Sequence, residues 1–175
     1  GDLHTHTKES DGANTLEEMA EAAKAKGLSY IAVTNHTKSL KVSNGMDEKG
    51  FEEFFKRIDK FNEKEDSFKV LKGAEVDILQ DGSLDLSRKL LEEMDVVIAA
   101  IHFSMGEEEM TMRIEKALDT GLVDIFAHPT GRLILERDPY KVNMESLFES
   151  AERNNVVMEI NSFPNRLDLS DTNIL

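Results

Sequence analysis

Six short apolar runs, each followed by a charged stretch with helical spacing, leave this chain few architectures to choose from. The runs cover residues 2–7, 28–36, 68–79, 96–102, 123–128 and 156–161. Several are near-continuous hydrophobics, such as DVVIAAI and DIFA, which is how strands covered on both faces read. Helices are predicted between them over 15–26, 47–65, 86–93, 107–120 and 143–154. The first carries its own punctuation: Thr15 as N-cap, Glu18 as its capping-box partner and Gly27 as the stop. In the second, Phe51, Phe54, Phe55 and Ile58 form one apolar stripe that should pack on the sheet. Strand and helix alternate throughout and no low-complexity linker intervenes, so the expectation is one α/β domain over residues 1–175, built from parallel βα units.

Composition removes several classes of function. There is no cysteine, which excludes disulfides, thiol catalysis and thiolate metal sites. The 21 Lys and Arg against 35 Asp and Glu leave a formal charge of −14, a poor basis for unaided binding of phosphate backbones. No apolar run is long enough to span a membrane and none reads as a signal peptide, so the default is a soluble cytoplasmic domain with no membrane partner. A first residue of Gly1 and a helix that only begins over 167–175 suggest a segment of a longer polypeptide.

The five histidines, His4, His6, His36, His102 and His128, all fall at or just beyond the end of a predicted strand. One such histidine is usually structural, but five at the same predicted rim ask for another explanation. In βα barrels the C-terminal strand ends are where active sites collect. His4 and His6 are spaced i, i+2 and leave the same face of one strand, and Glu75 and Asp77 repeat that spacing on the third run. Imidazoles and carboxylates without thiolates suit zinc or manganese, with iron as a further candidate. The set exceeds the needs of one tetrahedral ion, so two to three divalent ions are expected.

The His-x-His opening also occurs in amidohydrolases, but their pattern expects a Lys or carboxylated Lys bridge midway, where this chain offers Glu75. The strings GDLHTHTKESDG, AVTNHTKSL, GAEVDIL, AAIHFS and FAHPTGR resemble the polymerase and histidinol phosphatase (PHP) family and cover nearly the whole chain. The longer strings TNHTKSLKVSNG, LKGAEVDILQDGSLDL, AHPTGRLILERDPY and EINSFPNRLDLSD are similar to the PHP domain attached to bacterial and archaeal family X DNA polymerases. The resemblance implies a distorted seven-stranded, TIM-like βα barrel with a trinuclear metal site, here carrying six strands. It also implies ligand sets: His4, His6 and Glu75 for a first ion; Glu75, His102 and His128 for a second; Asp11 and His36 for a third. An Asp-x-His pair on the seventh strand would complete the family's set and lies outside this sequence, so fewer than three tightly held ions are expected. One departure is Asn35, where the family carries Asp before the second-strand histidine; the shape is kept and a charge is dropped.

Such a cluster activates water for attack on phosphorus and needs no Ser, Cys or Lys nucleophile. Glu75, as bridging ligand, and Arg132, as a clamp on a phosphate oxygen, are the catalytic candidates. Substrate contacts are expected from Arg132, Lys38, Lys41, Asn161 and Arg166, the last two chiefly on the resemblance. Read singly, each lysine is better explained as a solvated loop charge, whereas for Arg132 the clamp is preferred over a surface ion pair. The favoured activity is hydrolysis of phosphodiester bonds at DNA 3′ ends, a 3′–5′ exonuclease or end-cleaning repair activity beside an attached polymerase domain. A histidinol-phosphatase-like phosphomonoesterase acting on small phosphate esters and a noncatalytic module stabilising its polymerase are the alternatives.

Overall fold

Each predicted run contains one strand of the computed structural model, which describes residues 1–175. The strands are β1 (Asp2–Thr5), β2 (Tyr30–Val33), β3 (Lys69–Asp77), β4 (Val96–Ala100), β5 (Ile125–Phe126) and β6 (Val157–Met158), hydrogen-bonded in chain order. The pairs β1–β2, β2–β3 and β5–β6 are parallel, which with the intervening helices gives the expected α/β class and βα succession. The helices are α1 (Leu16–Ala25), α2 (Glu48–Asn62), α3 (Arg88–Leu91), α4 (Glu107–Leu118), α5 (Met144–Asn154) and α6 (Asp171–Ile174). A 3₁₀ turn (Lys41–Ser43) lies in the stretch between β2 and α2.

Two strands, β1 and β5, end earlier than their apolar runs where a residue just past the strand turns its backbone N–H to a side chain. After β5, for example, the His128 N–H donates to the Glu159 carboxylate at 2.7 Å instead of continuing the ladder. The helix predicted over 86–93 forms only its central turn, Arg88–Leu91, and Ser87 makes no side-chain cap.

The α1 boundaries follow the local chemistry read from the sequence. Thr15 Oγ1 accepts from Glu18 N–H at 3.2 Å while the Glu18 carboxylate accepts from Thr15 N–H at 2.8 Å, closing the capping box. At the other end Gly27 adopts φ +78°, a left-handed conformation that an L side chain disfavours. Its N–H donates to Lys24 O and the Leu28 N–H to Ala23 O, the paired bonds of a Schellman stop. Thr15→Ala should therefore lower stability by about 1 kcal/mol, seen as a melting temperature lower by roughly 2–4 °C.

Two compact units make up the chain. The first comprises Gly1–Val76 and Asp85–Ile98. Its β1–β2 register slips between Asp2 and Thr5, where side chains replace ladder bonds: Thr5 Oγ1 donates to Ala32 O and Thr34 Oγ1 to Thr5 O. Phe51, Phe54, Phe55 and Ile58 of α2 are all buried, as the stripe predicts. Charged residues fill the other face of α2, and Arg57 lies over the Phe54 ring at 5.4 Å. The stretch 62–66, which reads as a solvated helix end, does more than that. Asn62 brackets the Val70 peptide with two hydrogen bonds of 2.8 and 2.9 Å, tying α2 to β3.

The second unit comprises Asp77–Leu84 and Ala99–Leu175. Its core gathers Ile78, Ile101, Met110, Ile114, Phe126 and Leu147, taken from strands and from the inner faces of α4 and α5. Glu107, Glu108 and Glu109 occupy the first turn of α4, where carboxylates favour the helix dipole. None of the helices is long and apolar enough to cross a membrane.

Candidate metal centre

In the first unit, β1 and the segment after it carry His4 and His6, the turn beyond carries Asp11, the end of β2 leads to His36, and β3 contributes Glu75. Glu75 is 1% exposed and sits among three imidazoles. Its Oε2 is 3.2 Å from His4 Nε2, 3.3 Å from His6 Nε2 and 3.1 Å from His36 Nδ1. Asp11 closes the other side, with Oδ1 3.5 Å from His6 Nδ1 and Oδ2 3.3 Å from His36 Nε2. The His6 and His36 rings stack at 4.4 Å between centroids.

These spacings bear on whether the group fits a metal. N–H···O hydrogen bonds cluster near 2.9–3.0 Å. Ligand atoms about 2.0–2.2 Å from one tetrahedral ion stand roughly 3.4 Å apart. Four of the five contacts fall at 3.2–3.5 Å, nearer to ligand–ligand separations than to hydrogen bonds. His6 Nδ1 is buried without a hydrogen-bond partner, as a ligating nitrogen is before its ion binds. Two overlapping sets follow, His4–His6–Glu75 and His6–Asp11–His36, each within reach of a single ion. The residues fit a divalent metal ion.

The loop that carries Asp11 is wound on Asn35. This fully buried amide accepts at Oδ1 from Thr7 N–H (2.8 Å) and Ser10 Oγ (3.0 Å), and donates Nδ2 to Thr7 Oγ1 (2.9 Å). Thr7 Oγ1 also bonds Glu9 at 2.6 Å, and Glu9 pairs with Arg57 of α2. Burial raises the Glu9 carboxyl, but the bonds from Thr7 and Arg57 outweigh it and leave its pKa below the usual range. Asn35 thus acts on the His6–Asp11 loop, a role its place before His36 does not reveal. Gly12 completes the turn: a Cβ there would lie 2.5 Å from His6 O.

The second unit holds His102 and His128, two residues past β4 and β5, with ring centroids 5.6 Å apart. His102 Nδ1 bonds Asp77 Oδ1 at 2.7 Å, and Asp77 is almost fully buried at the end of β3. With a carboxylate as its partner, Nδ1 carries the proton and Nε2 is left with its lone pair, the arrangement that carboxylate–histidine pairs adopt at metal sites. The orienting role of Asp77 was open to a reader of the sequence only as an i, i+2 echo of Glu75. His128 is 3% exposed and sits at φ +31°, held from both sides. Its N–H donates to Glu159, and its carbonyl accepts from Gly131 N–H at 2.8 Å. Thr130 continues the clasp, donating N–H and Oγ1 to the fully buried Asp168 at 2.9–3.1 Å. Glu159 and Asp168 carry no motif of their own and emerge only from the fold.

The proposed substrate residues divide. Lys38 and Lys41 are exposed beyond His36. Asn161 turns inward, donating Nδ2 to Glu159 at 3.3 Å and accepting from Phe163 N–H at 3.1 Å. Arg132 donates Nε to Arg166 O at 2.8 Å and Nη2 to Leu167 O, which leaves three of its five N–H groups for other acceptors. Arg166 keeps a buried Nη1 without a hydrogen-bond partner.

The PHP domain family model matches residues 2–163. A DNA polymerase/3′-5′ exonuclease PolX of Bacillus subtilis (strain 168) is 45% identical over 177 residues, covering 100% of this chain and 31% of the relative. A probable phosphatase of Thermoanaerobacter sp. (strain X514) is 31% identical over 168 residues, covering 92% of this chain and 64% of the relative. A probable phosphatase of Photobacterium profundum is 29% identical, with 92% and 63% covered. The chain thus spans about a third of the polymerase relative and just under two thirds of the phosphatases.

Proposed function

The chain belongs to the PHP domain family, and on that premise we propose that residues 1–175 form one metal-dependent phosphoesterase domain that hydrolyses phosphodiester bonds at DNA 3′ ends, within a polypeptide that also carries a family X polymerase. One observation carries the choice of substrate: the PolX relative matches the whole chain at 45%, against 31% for the Thermoanaerobacter phosphatase. The arrangement of imidazoles and carboxylates supports phosphoester chemistry in either case.

In this reading His4, His6 and Glu75 hold one divalent ion of the first unit, Asp11 and His36 offer a further, less complete set there, and His102 and His128 serve an ion of the second unit. When bound, the ions supply positive charge to phosphoryl oxygens and make water nucleophilic near neutral pH. The chain's own residues do the rest. Asp77 keeps the His102 proton on Nδ1 and so keeps Nε2 basic. Arg132 clamps a phosphate oxygen with the donors it does not spend on the Arg166 and Leu167 carbonyls, and Arg166 and Asn161 lie near it in the chain's course as further substrate contacts. Lys38 and Lys41 meet the DNA backbone, offsetting a chain whose charge of −14 otherwise repels it. Tyr140 stays a phenol at all working pH values, because burial drives its pKa upward.

A second reading, hydrolysis of small phosphate monoesters, is favoured by that acidity and by the phosphatase relatives. A noncatalytic role is disfavoured by the retained ligand residues. The test compares a 3′-recessed DNA duplex with histidinol phosphate, each with manganese and with zinc. The DNA reading expects turnover of the duplex, abolished by His102→Ala with the circular dichroism spectrum unchanged. Turnover confined to histidinol phosphate would install the second reading, and wild-type turnover by His102→Ala under saturating manganese would remove His102 from the site.

A further inference from the structure

Arg113 lies in the middle of α4, and no part of the proposed chemistry uses it. It is nonetheless 4% exposed, rare for an arginine. Its guanidinium faces backbone and not a carboxylate: Nε donates to Leu79 O at 2.8 Å, Nη1 to Phe103 O at 2.8 Å and Nη2 to Ile78 O. Ile78 and Leu79 directly follow Asp77, and Phe103 directly follows His102. One planar fork therefore grips both segments whose side chains make the 2.7 Å Asp77–His102 bond. A second cation reinforces one arm, since Lys116, one helical turn on, donates Nζ to Asp81 O at 2.6 Å.

A lysine's three donors all leave one nitrogen and an apolar residue has none, whereas the guanidinium spreads its donors over three nitrogens and so meets three acceptors from two loops. Burial pushes the Arg113 pKa down and Asp77 nearby only partly offsets it, yet a guanidinium stays charged in a protein.

We infer that Arg113 is a positioning residue: a strut that sets the spacing of the loops after β3 and β4, and thereby the orientation of the His102 ring on Asp77. The inference rests on the reading of His102 as a ligand, but not on the substrate proposed above. Its consequence is that charge alone does not replace Arg113.

The experiment uses metal-stripped protein with ¹⁵N-labelled histidine. In the wild type, the His102 Nδ1–H should be a sharp, slowly exchanging resonance. In Arg113→Lys it should broaden or exchange rapidly, while the His4, His6 and His36 signals keep their positions. Titration with Co²⁺ should show binding by the His102–His128 pair weakened about tenfold, the scale of outer-shell substitutions. In a His102→Ala background, Arg113→Lys should cause no further loss. An unchanged His102 resonance, or additive losses in the double variant, would overturn the strut. If Arg113→Lys does not fold, Arg113→Gln is read the same way, and the wild type supplies an independent check. The Arg113 Nε–H should be strongly protected from hydrogen exchange, and rapid exchange would overturn the inference. Failure of the phosphoesterase reading would appear separately, as a wild-type protein that hydrolyses neither substrate while these resonances behave as described.

Discussion

Glu75→Gln is expected to abolish hydrolysis and to strip the first unit of its divalent ions. The carboxylate is 1% exposed and is the one anionic group within 3.3 Å of His4, His6 and His36 together. Gln keeps the shape but removes the charge and places an amide among three imidazoles, so the group can no longer offset a bound cation. Outer-shell substitutions at metal sites cost about 10–100-fold, and loss of a shared inner carboxylate should exceed the upper end of that range. Elemental analysis of the dialysed variant and a turnover assay under saturating manganese check this together. The fold should survive, because Gln fills the same volume, and circular dichroism reads that directly. A Glu75→Gln protein that retains both its ions and its turnover would mean that Glu75 is a structural carboxylate.

Phe126→Ala is expected to have the largest effect on stability. The ring is fully buried in the second unit, in a core it shares with Ile114, Leu118 and Leu147. Removing it from a packed interior costs about 3–5 kcal/mol, much of the roughly 5–15 kcal/mol that holds a typical domain folded. The location adds a functional consequence. β5 is only Ile125–Phe126, and His128 follows it at φ +31°, a conformation that persists only while its surroundings enforce it. A cavity beside β5 should let His128 relax, so the variant should lose affinity for metal even at temperatures where it remains folded. Urea unfolding gives the first quantity and Co²⁺ titration the second. A loss under about 1 kcal/mol would show that the neighbouring helices close over the gap.

Much of this architecture is legible in the sequence because its signals are local. The capping box at Thr15 and Glu18, the stop at Gly27, the apolar stripe of α2 and the near-continuous hydrophobic runs are each decided within a few residues, and each is where it was expected. The candidate ligands are legible for a different reason. Histidine is scarce in this chain, and its confinement to the ends of predicted strands is a pattern that burial alone does not produce. What the sequence hides is the support around those ligands. Asn35 reads as a departure from a family pattern, whereas its amide organises the Thr7–Ser10 backbone. Arg132 reads as a phosphate clamp, whereas two of its donors face the carbonyls of Arg166 and Leu167. Arg113, Glu159 and Asp168 have no local signature, because their partners lie 10 to 38 residues away and are brought to them by the chain's course. Long-range hydrogen bonds to backbone are invisible to periodicity, which registers only where a residue sits on its own element.

In the proposed function, the imidazoles and carboxylates of the first unit are a metal centre and not a network of buried hydrogen bonds. Calorimetric titration of the metal-stripped protein with zinc tests it most directly, with His6→Ala as the comparison, since His6 faces Glu75 through one ring nitrogen and Asp11 through the other. Because ligands must be deprotonated to bind, the wild type should take up zinc with release of protons, measured from the dependence of the heat on buffer ionisation. His6→Ala should lose that tight phase. A wild-type protein with no zinc uptake above background, or a His6→Ala protein that binds as tightly and releases as many protons, would show a hydrogen-bonded network and no metal centre.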